Sequence, residues 1–426
     1  MKRKLINLLL IVALNLTILY GCGDANSVNQ NPTVQENESI TNSETESNVE
    51  SEVSSEVEDT EEDITETEDI ASKESDEEEG YSFYQTKSGL SVTVSDSENK
   101  SLPTVAVLAT GGTIAGSGAA GKTTNYTAGQ LDVGSLVASA AGITEIANVR
   151  GVQVCNVGSD DITDKYWLTI VKTINEMAED DSIDGFVITH GTDTLDETSY
   201  FLNLTVKTDK PVVITGAMRP STATSADGPM NLYQSIALAS NEKAKNRGSM
   251  VVFSDGIFGG RDCQKVSTHE TDAFDSKDFG CLGYMVDSIP YFYNETTKLH
   301  TIETEFDVSK LEELPKVAVA YFTIDADASI LDFYANNGAK GIVIAGAGAG
   351  CYSEAWNNKI LELESTGIPV IRCSRIGSGM ITQDDYFVGN TAEGNDLAPQ
   401  KATVLLRLAL TVTNDINEIQ SIFDKY

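Results

Sequence analysis

One pattern recurs between residues 105 and 253 and leaves few folds open: short apolar runs alternate with longer amphipathic stretches. The runs 105–109, 185–189, 211–214 and 250–253 are almost wholly apolar, as strands buried on both faces require. Between them, Trp167, Leu168, Val171, Ile174 and Met177 fall on one face of a helix predicted over 164–178, and helices are expected over 194–204 and 231–243. Strand, helix and strand in turn predict a parallel sheet with helices on both faces. Residues 259–314 are polar and are expected to be irregular. A second, smaller alternation follows Pro315, with strands over 317–322, 341–344 and 369–372 and helices over 353–365, 399–410 and 415–424. The expected class is α/β, with a larger N-terminal parallel-sheet domain over 101–314 and a smaller C-terminal α/β domain over 315–426. In open α/β sheets, sites gather at the carboxyl ends of strands.

The charge is spread unevenly. Residues 24–79 hold 21 acidic side chains against one basic residue, Lys73, out of a net charge of −36 for the whole chain. Few aromatics accompany them, so this stretch cannot bury enough apolar surface to offset its chain entropy. It is expected to be a disordered tether, taken as 23–100. So acidic a chain repels phosphate backbones, and no nucleic-acid partner is expected. Ahead of the tether, Lys2, Arg3 and Lys4 precede a short apolar run that reads as a signal peptide over residues 1–22. Leu19-Tyr20-Gly21-Cys22 resembles a bacterial lipobox, which makes Cys22 the expected lipidation site and the outer face of the cell membrane the expected location. The five later cysteines are scattered and read as small buried hydrophobes. With only His190, His269 and His300, no metal or other cofactor is expected.

Four loop motifs stand at or near the predicted strand ends. The first is Ala109-Thr110-Gly111-Gly112-Thr113-Ile114-Ala115-Gly116, where glycines let the backbone turn tightly and leave the Thr113 hydroxyl exposed. A plain tight connection would look the same. The second, Thr189-His190-Gly191-Thr192-Asp193-Thr194, sets a hydroxyl beside a carboxylate at a helix start, where Thr192 or Asp193 can also act as a cap. The third, Gly216-Ala217-Met218-Arg219-Pro220-Ser221, reads mainly as loop scaffolding. The fourth, Gly260-Arg261-Asp262-Cys263-Gln264-Lys265, holds a lysine that would be solvated in an open loop but could activate a hydroxyl if buried. A rival motif, 116–123, satisfies G-x-x-x-x-G-K-[ST] letter for letter, but its strand ends seven residues earlier and no apolar-faced helix follows Lys122-Thr123.

Together these four motifs, and the first two in this order above all, resemble the bacterial L-asparaginase family, the exported type II enzymes in particular. The resemblance spans about 102–426. It implies that Thr113 is the nucleophile and that Tyr126, on a lid loop, helps activate it. It implies a second set in Thr192, Asp193 and Lys265, and places Ser159 and Asp193 on the substrate's α-carboxylate and α-ammonium. Backbone N–H groups of the glycine-rich turn and near Ala217 would meet the oxyanion. Three positions depart from the pattern: Asp160 follows Ser159 where glutamine is usual, Asp325 stands where a neighbouring subunit lends an asparagine, and Tyr386, preceded by Asp384 and Asp385, stands where it lends an acid. The disulfide of some members has no cysteine counterparts here. The implied function is hydrolysis of L-asparagine through an acyl-enzyme, in a homotetramer. The alternatives are a glutaminase-asparaginase, since one methylene discriminates weakly, and a catalytically silent surface lipoprotein.

Overall fold

The computed structural model describes residues 80–276, 278–383, 387 and 391–426. The leader, Cys22, the acidic stretch and the departure at Tyr386 lie outside the described residues.

The repeated pattern builds a mixed sheet of ten strands: β1 (Tyr81–Gln85), β2 (Ser91–Ser95), β3 (Thr104–Gly111), β4 (Asn148–Val157), β5 (Gly185–Thr189), β6 (Val212–Thr215), β7 (Ser249–Phe253), β8 (Gly256–Gly259), β9 (Gly283–Val286) and β10 (Ile289–Phe292). Their spatial order is β1-β2-β4-β3-β5-β6-β7-β8-β9-β10, and the central five, β4 to β7, are parallel. The central strands are apolar on both sides because both sides are covered. Ala106 and Leu108 of β3 pack with α2 (Asp164–Met177) and α3 (Leu195–Thr205). Val105, Val107 and Ala109 face α1 (Val133–Ser139) and α4 (Gly228–Ala239).

Those helix positions fix the hand of the crossovers. The steps β4–α2–β5 and β5–α3–β6 run the same way across the sheet with helices on one face. The step β3–α1–β4 runs the opposite way with its helix on the opposite face, so all three share a hand. The step β6–α4–β7 runs with the first two but carries its helix on the other face, so its hand is reversed. Since right-handed crossovers are the rule, this one is left-handed. Its entry loop, Gly216 to Asp227, meets the chain that leaves β3: Ser221 N–H bonds to Gly116 O at 3.0 Å and Gly121 N–H to Thr222 O at 2.8 Å.

A second sheet is parallel throughout, in the order β11 (Val317–Tyr321), β12 (Gly341–Gly346), β13 (Val370–Ser374), β14 (Thr391–Glu393). On one face, α5 (Ser329–Asn336) and α6 (Glu354–Glu364) cover Ile342, Ile344 and Val370. On the other, α7 (Pro399–Ala409) and α8 (Ile416–Lys425) join Val343 and Ile371 to the core around α3, so one apolar core runs from the large sheet to the small one.

Three expectations need correction. The sheet begins at Tyr81, ahead of the boundary set at 101, because the period-two run Ser91–Ser95 pairs with β4 and buries Val92. Residues 259–314 are not irregular throughout, since β9 and β10 pair there as a hairpin at the sheet edge. Of the cysteines expected to be buried, Cys263 and Cys373 are, whereas Cys155 and Cys281 are half-buried and Cys351 is exposed.

Candidate active site

From β3 the chain steps one way across the sheet, and after β5 the other way, so a crevice opens between their carboxyl ends. The two neighbouring strand ends approach closely. A Cβ on Gly112, which has φ +76°, would lie 2.4 Å from Gly191 Cα, and one on Gly191 would lie 2.8 Å from Ser159 Cβ. Only glycine fits at either position. This contact sets Thr113, next after Gly112, beside Thr192, next after Gly191.

Thr113 opens a single 3₁₀ turn, Thr113–Ala115, and is almost wholly buried. Its Oγ1 lies 2.7 Å from the Tyr126 hydroxyl, and either oxygen can donate. Tyr126 stands on a small hairpin in which Ser117–Gly118 pairs with Tyr126–Thr127. Thr222 of the left-handed crossover holds that hairpin, accepting the Gly118 N–H on Oγ1 at 3.0 Å. The lysine and threonine of the P-loop-like string lie in this hairpin's exposed connection and open no helix.

Across the crevice, Lys265 Nζ donates to Thr192 Oγ1 at 2.9 Å and pairs with Asp193 Oδ1 at 2.6 Å. The Lys265 side chain is 16% exposed and that of Asp193 72%, so the carboxylate is open to solvent while the lysine is largely covered. Ser159 is held against the same turn, its Oγ accepting the Asp193 N–H at 3.2 Å and its carbonyl the Thr194 hydroxyl at 2.8 Å. The structure therefore brings together Thr113 with Tyr126, and Thr192 with Asp193, Lys265 and Ser159. Asp160 is exposed beside Ser159 in the 3₁₀ turn Ser159–Asp161. Asp325 is exposed, at φ +59°, in the loop after β11, and bonds to neither threonine set.

The N–H groups expected to meet an oxyanion are partly spoken for. That of Gly112 donates to Val157 O at 2.9 Å, and those of Met218 and Arg219 donate to the Asp227 carboxylate, each at 2.9 Å.

Two residues here had no role in the sequence reading. His190 is fully buried, its Nδ1 2.7 Å from Gly191 O and its Nε2 3.0 Å from Thr198 Oγ1, which itself accepts the Trp167 indole N–H at 2.8 Å. A carbonyl can only accept, so Nδ1 carries the proton and Thr198 donates to Nε2. Burial lowers the imidazole pKa to about 4, so the ring is neutral and braces the Gly191 carbonyl. Glu197, in the first turn of α3, is pushed up to about 7, first by burial and then by the neighbouring Asp196 carboxylate, with Lys401 and Arg407 opposing.

A carboxyl whose folded pKa lies above its unfolded value of about 4.3 contributes stability at low pH and loses it as the pH rises through about 7. Glu197→Gln should therefore raise the thermal midpoint relative to wild type at pH 8 and much less at pH 5. An equal shift at both pH values in paired melting curves would contradict this.

The sequence and the fold both have known counterparts. The family model "Asparaginase, N-terminal" matches residues 104–298, and "Glutaminase/Asparaginase C-terminal domain" matches 316–423. The chain is 47% identical over 334 residues to the L-asparaginase 2 of Bacillus subtilis (strain 168), covering 78% of this chain and 89% of that protein. It is 41% identical over 331 residues to the glutaminase-asparaginase of Acinetobacter glutaminasificans, covering 76% and 99%. The crystal structure of a probable cytoplasmic L-asparaginase from Campylobacter jejuni superposes with a TM-score of 0.74 at 45% identity, covering 76% of this chain and all of that one.

Proposed function

The chain belongs to the asparaginase family, and on that premise we propose that it hydrolyses L-asparagine to L-aspartate and ammonia, with Thr113 as nucleophile. The observation that carries this reading is the facing pair of hydroxyl sets: Thr113 on Tyr126 at 2.7 Å, and Thr192 on Lys265 at 2.9 Å, at adjoining strand ends.

Thr113 Oγ1 attacks the side-chain amide carbon, and its proton leaves along the bond to Tyr126. The amide nitrogen takes up a proton and departs as ammonia, leaving an ester on Thr113. Water attacks that ester, releases aspartate and restores the hydroxyl. The exposed Asp193 carboxylate suits the substrate ammonium. The half-buried amine of Lys265 donates to Thr192 and polarises it, which suits that hydroxyl to hold a water or a proton in the second half.

Ammonia release from L-asparagine, L-glutamine and D-asparagine tests the reading. No release from either L-amide would end it, and equal kcat/KM for the two L-amides would favour the glutaminase-asparaginase form. That form draws support from the relatives that carry that name.

We extend the proposal to a lipid anchor at Cys22, with the acidic stretch as its tether, and to a homotetramer. The lipobox-like Leu19-Tyr20-Gly21-Cys22 supports the anchor, and the neighbour-lent positions implied by the family resemblance support the tetramer. Cofractionation of Cys22→Ser with membranes, and a monomeric mass by light scattering, are the results that would count against them.

A further inference from the structure

Lys265 stands on a two-residue ladder, Gln264–Lys265 against Phe274–Asp275, that belongs to neither large sheet. Its height above the strand ends is set by the chain that leads to it. That chain leaves β8 in a tight turn, in which the N–H groups of Asp262 and Cys263 both bond to Gly259 O, at 3.1 and 2.9 Å. The next two carbonyls are held from outside. Lys401, in the first turn of α7, donates to Gly260 O at 3.0 Å and to Arg261 O at 2.6 Å. Ser199 of α3 donates to Gly260 O as well, at 3.0 Å.

Lys401 is an improbable residue for its position. It is 3% exposed, so its ammonium is stripped of water. It also stands at the positive end of a helix dipole. Burial pushes its amine below the ordinary lysine range, with the buried Asp196 opposing. Apolar packing alone would have been served by leucine or methionine without those costs. What the ammonium adds is two directed hydrogen bonds to the turn, from the smaller unit. Arg261 ties the same turn to that unit a second time, through both oxygens of Asp396 at 2.5 and 2.9 Å, just ahead of α7.

We propose that Lys401 is a positioning residue for Lys265: through the Gly260 and Arg261 carbonyls, the smaller unit holds the amine that serves Thr192. This rests on the role given to Lys265 above. The Arg261 carbonyl is four residues from Lys265: the turn closed on Gly259 O runs through Cys263, and the ladder that carries Lys265 begins at Gln264. A slip of the turn is passed on to the 2.9 Å contact with Thr192, where a misplacement of about 1 Å costs about 10²-fold in rate.

The test uses the full-length chain and four variants, with rates expressed per folded molecule from circular dichroism. Lys401→Met should lower kcat by about 30-fold or more with KM within about twofold, because Asp193, although it pairs with the same amine, keeps its own anchor on Ser159. Lys401→Gln keeps a donor in the same place and should lose less, and it decides by the same criteria if the methionine variant does not fold. Leu405→Ala, which removes buried apolar contact from the same helix but neither carbonyl bond, should keep wild-type kcat below its melting temperature. The proposal is overturned if the Lys401 variants match Leu405→Ala in kcat per folded molecule, or if they lose activity through KM. Lys265→Met keeps the two failures apart: should it retain wild-type kcat, the role of Lys265 falls instead.

Discussion

Replacing Thr113 with alanine will lower kcat for L-asparagine by about 10⁴-fold or more and leave the protein folded. The size follows from what is removed. Without Oγ1 no bond can form to the amide carbon, and only the binding groups and partial oxyanion contacts remain to speed attack by water. The folded state loses little, because Thr113 gives up a single hydrogen bond, to a tyrosine 36% exposed, worth about 1 kcal/mol. Tyr126→Phe removes the other end of that bond but keeps the nucleophile, and should cost about 10²-fold, the lower range for a positioned proton acceptor. Thr113→Ser should stand between wild type and alanine. Stopped-flow ammonia release beside thermal melts measures all three. An alanine variant within tenfold of wild type, with an unchanged melt, would remove Thr113 from the chemistry.

The position of Thr113 at a strand end was legible in the sequence for a physical reason, whereas its role and the choice of Tyr126 came only from the family resemblance. Buried parallel strands are continuous apolar runs, so the ends of β3 and β5 show where the apolar residues stop, and the polar residues just beyond must lie at the sheet's rim. The amphipathic spacing of Trp167, Leu168, Val171 and Ile174 likewise placed α2. Strand β4 escaped because it carries Arg150, Gln153 and Asn156 among its valines and is only half-buried along much of its length. The β1–β2 hairpin escaped because it adjoins the acidic stretch and exposes Tyr81, Phe83 and Tyr84. Buried polar residues were harder still. Lys401 follows Pro399 and Gln400 on an amphipathic helix, where a lysine normally faces water. Its burial arises only because α7 lies against α3 and the turn after β8. His190 sat inside a motif, yet its task depends on Thr198 and Trp167, residues that only the packing of α2 on α3 brings to it. Sequence shows the chemistry that must face the solvent crevice, and long-range packing decides what holds it.

The pairing of Lys265 with Thr192, 73 residues apart, is such a long-range contact, and its removal is the second large effect to expect. Lys265→Met should lower kcat by about 10³-fold, with little change in the melting temperature. The salt bridge to Asp193 contributes little to folding, because the carboxylate is 72% exposed and such pairs are worth at most about 1 kcal/mol. Its catalytic value is larger because the Lys265 side chain is only 16% exposed and its amine also donates to Thr192 Oγ1. A hydroxyl that accepts from an ammonium gives up its own proton more readily, and without that donor Thr192 is an ordinary threonine. Lys265→Arg should not restore the rate, since a planar guanidinium spreads its charge over five donors and cannot reproduce one short contact to Oγ1 and one to Asp193. Thr192→Val removes the other partner, and the double variant with Lys265→Met should be barely worse than either single one, because the two act as a unit. Steady-state rates on the three proteins decide the matter: multiplicative losses in the double variant would mean that lysine and threonine serve separate steps.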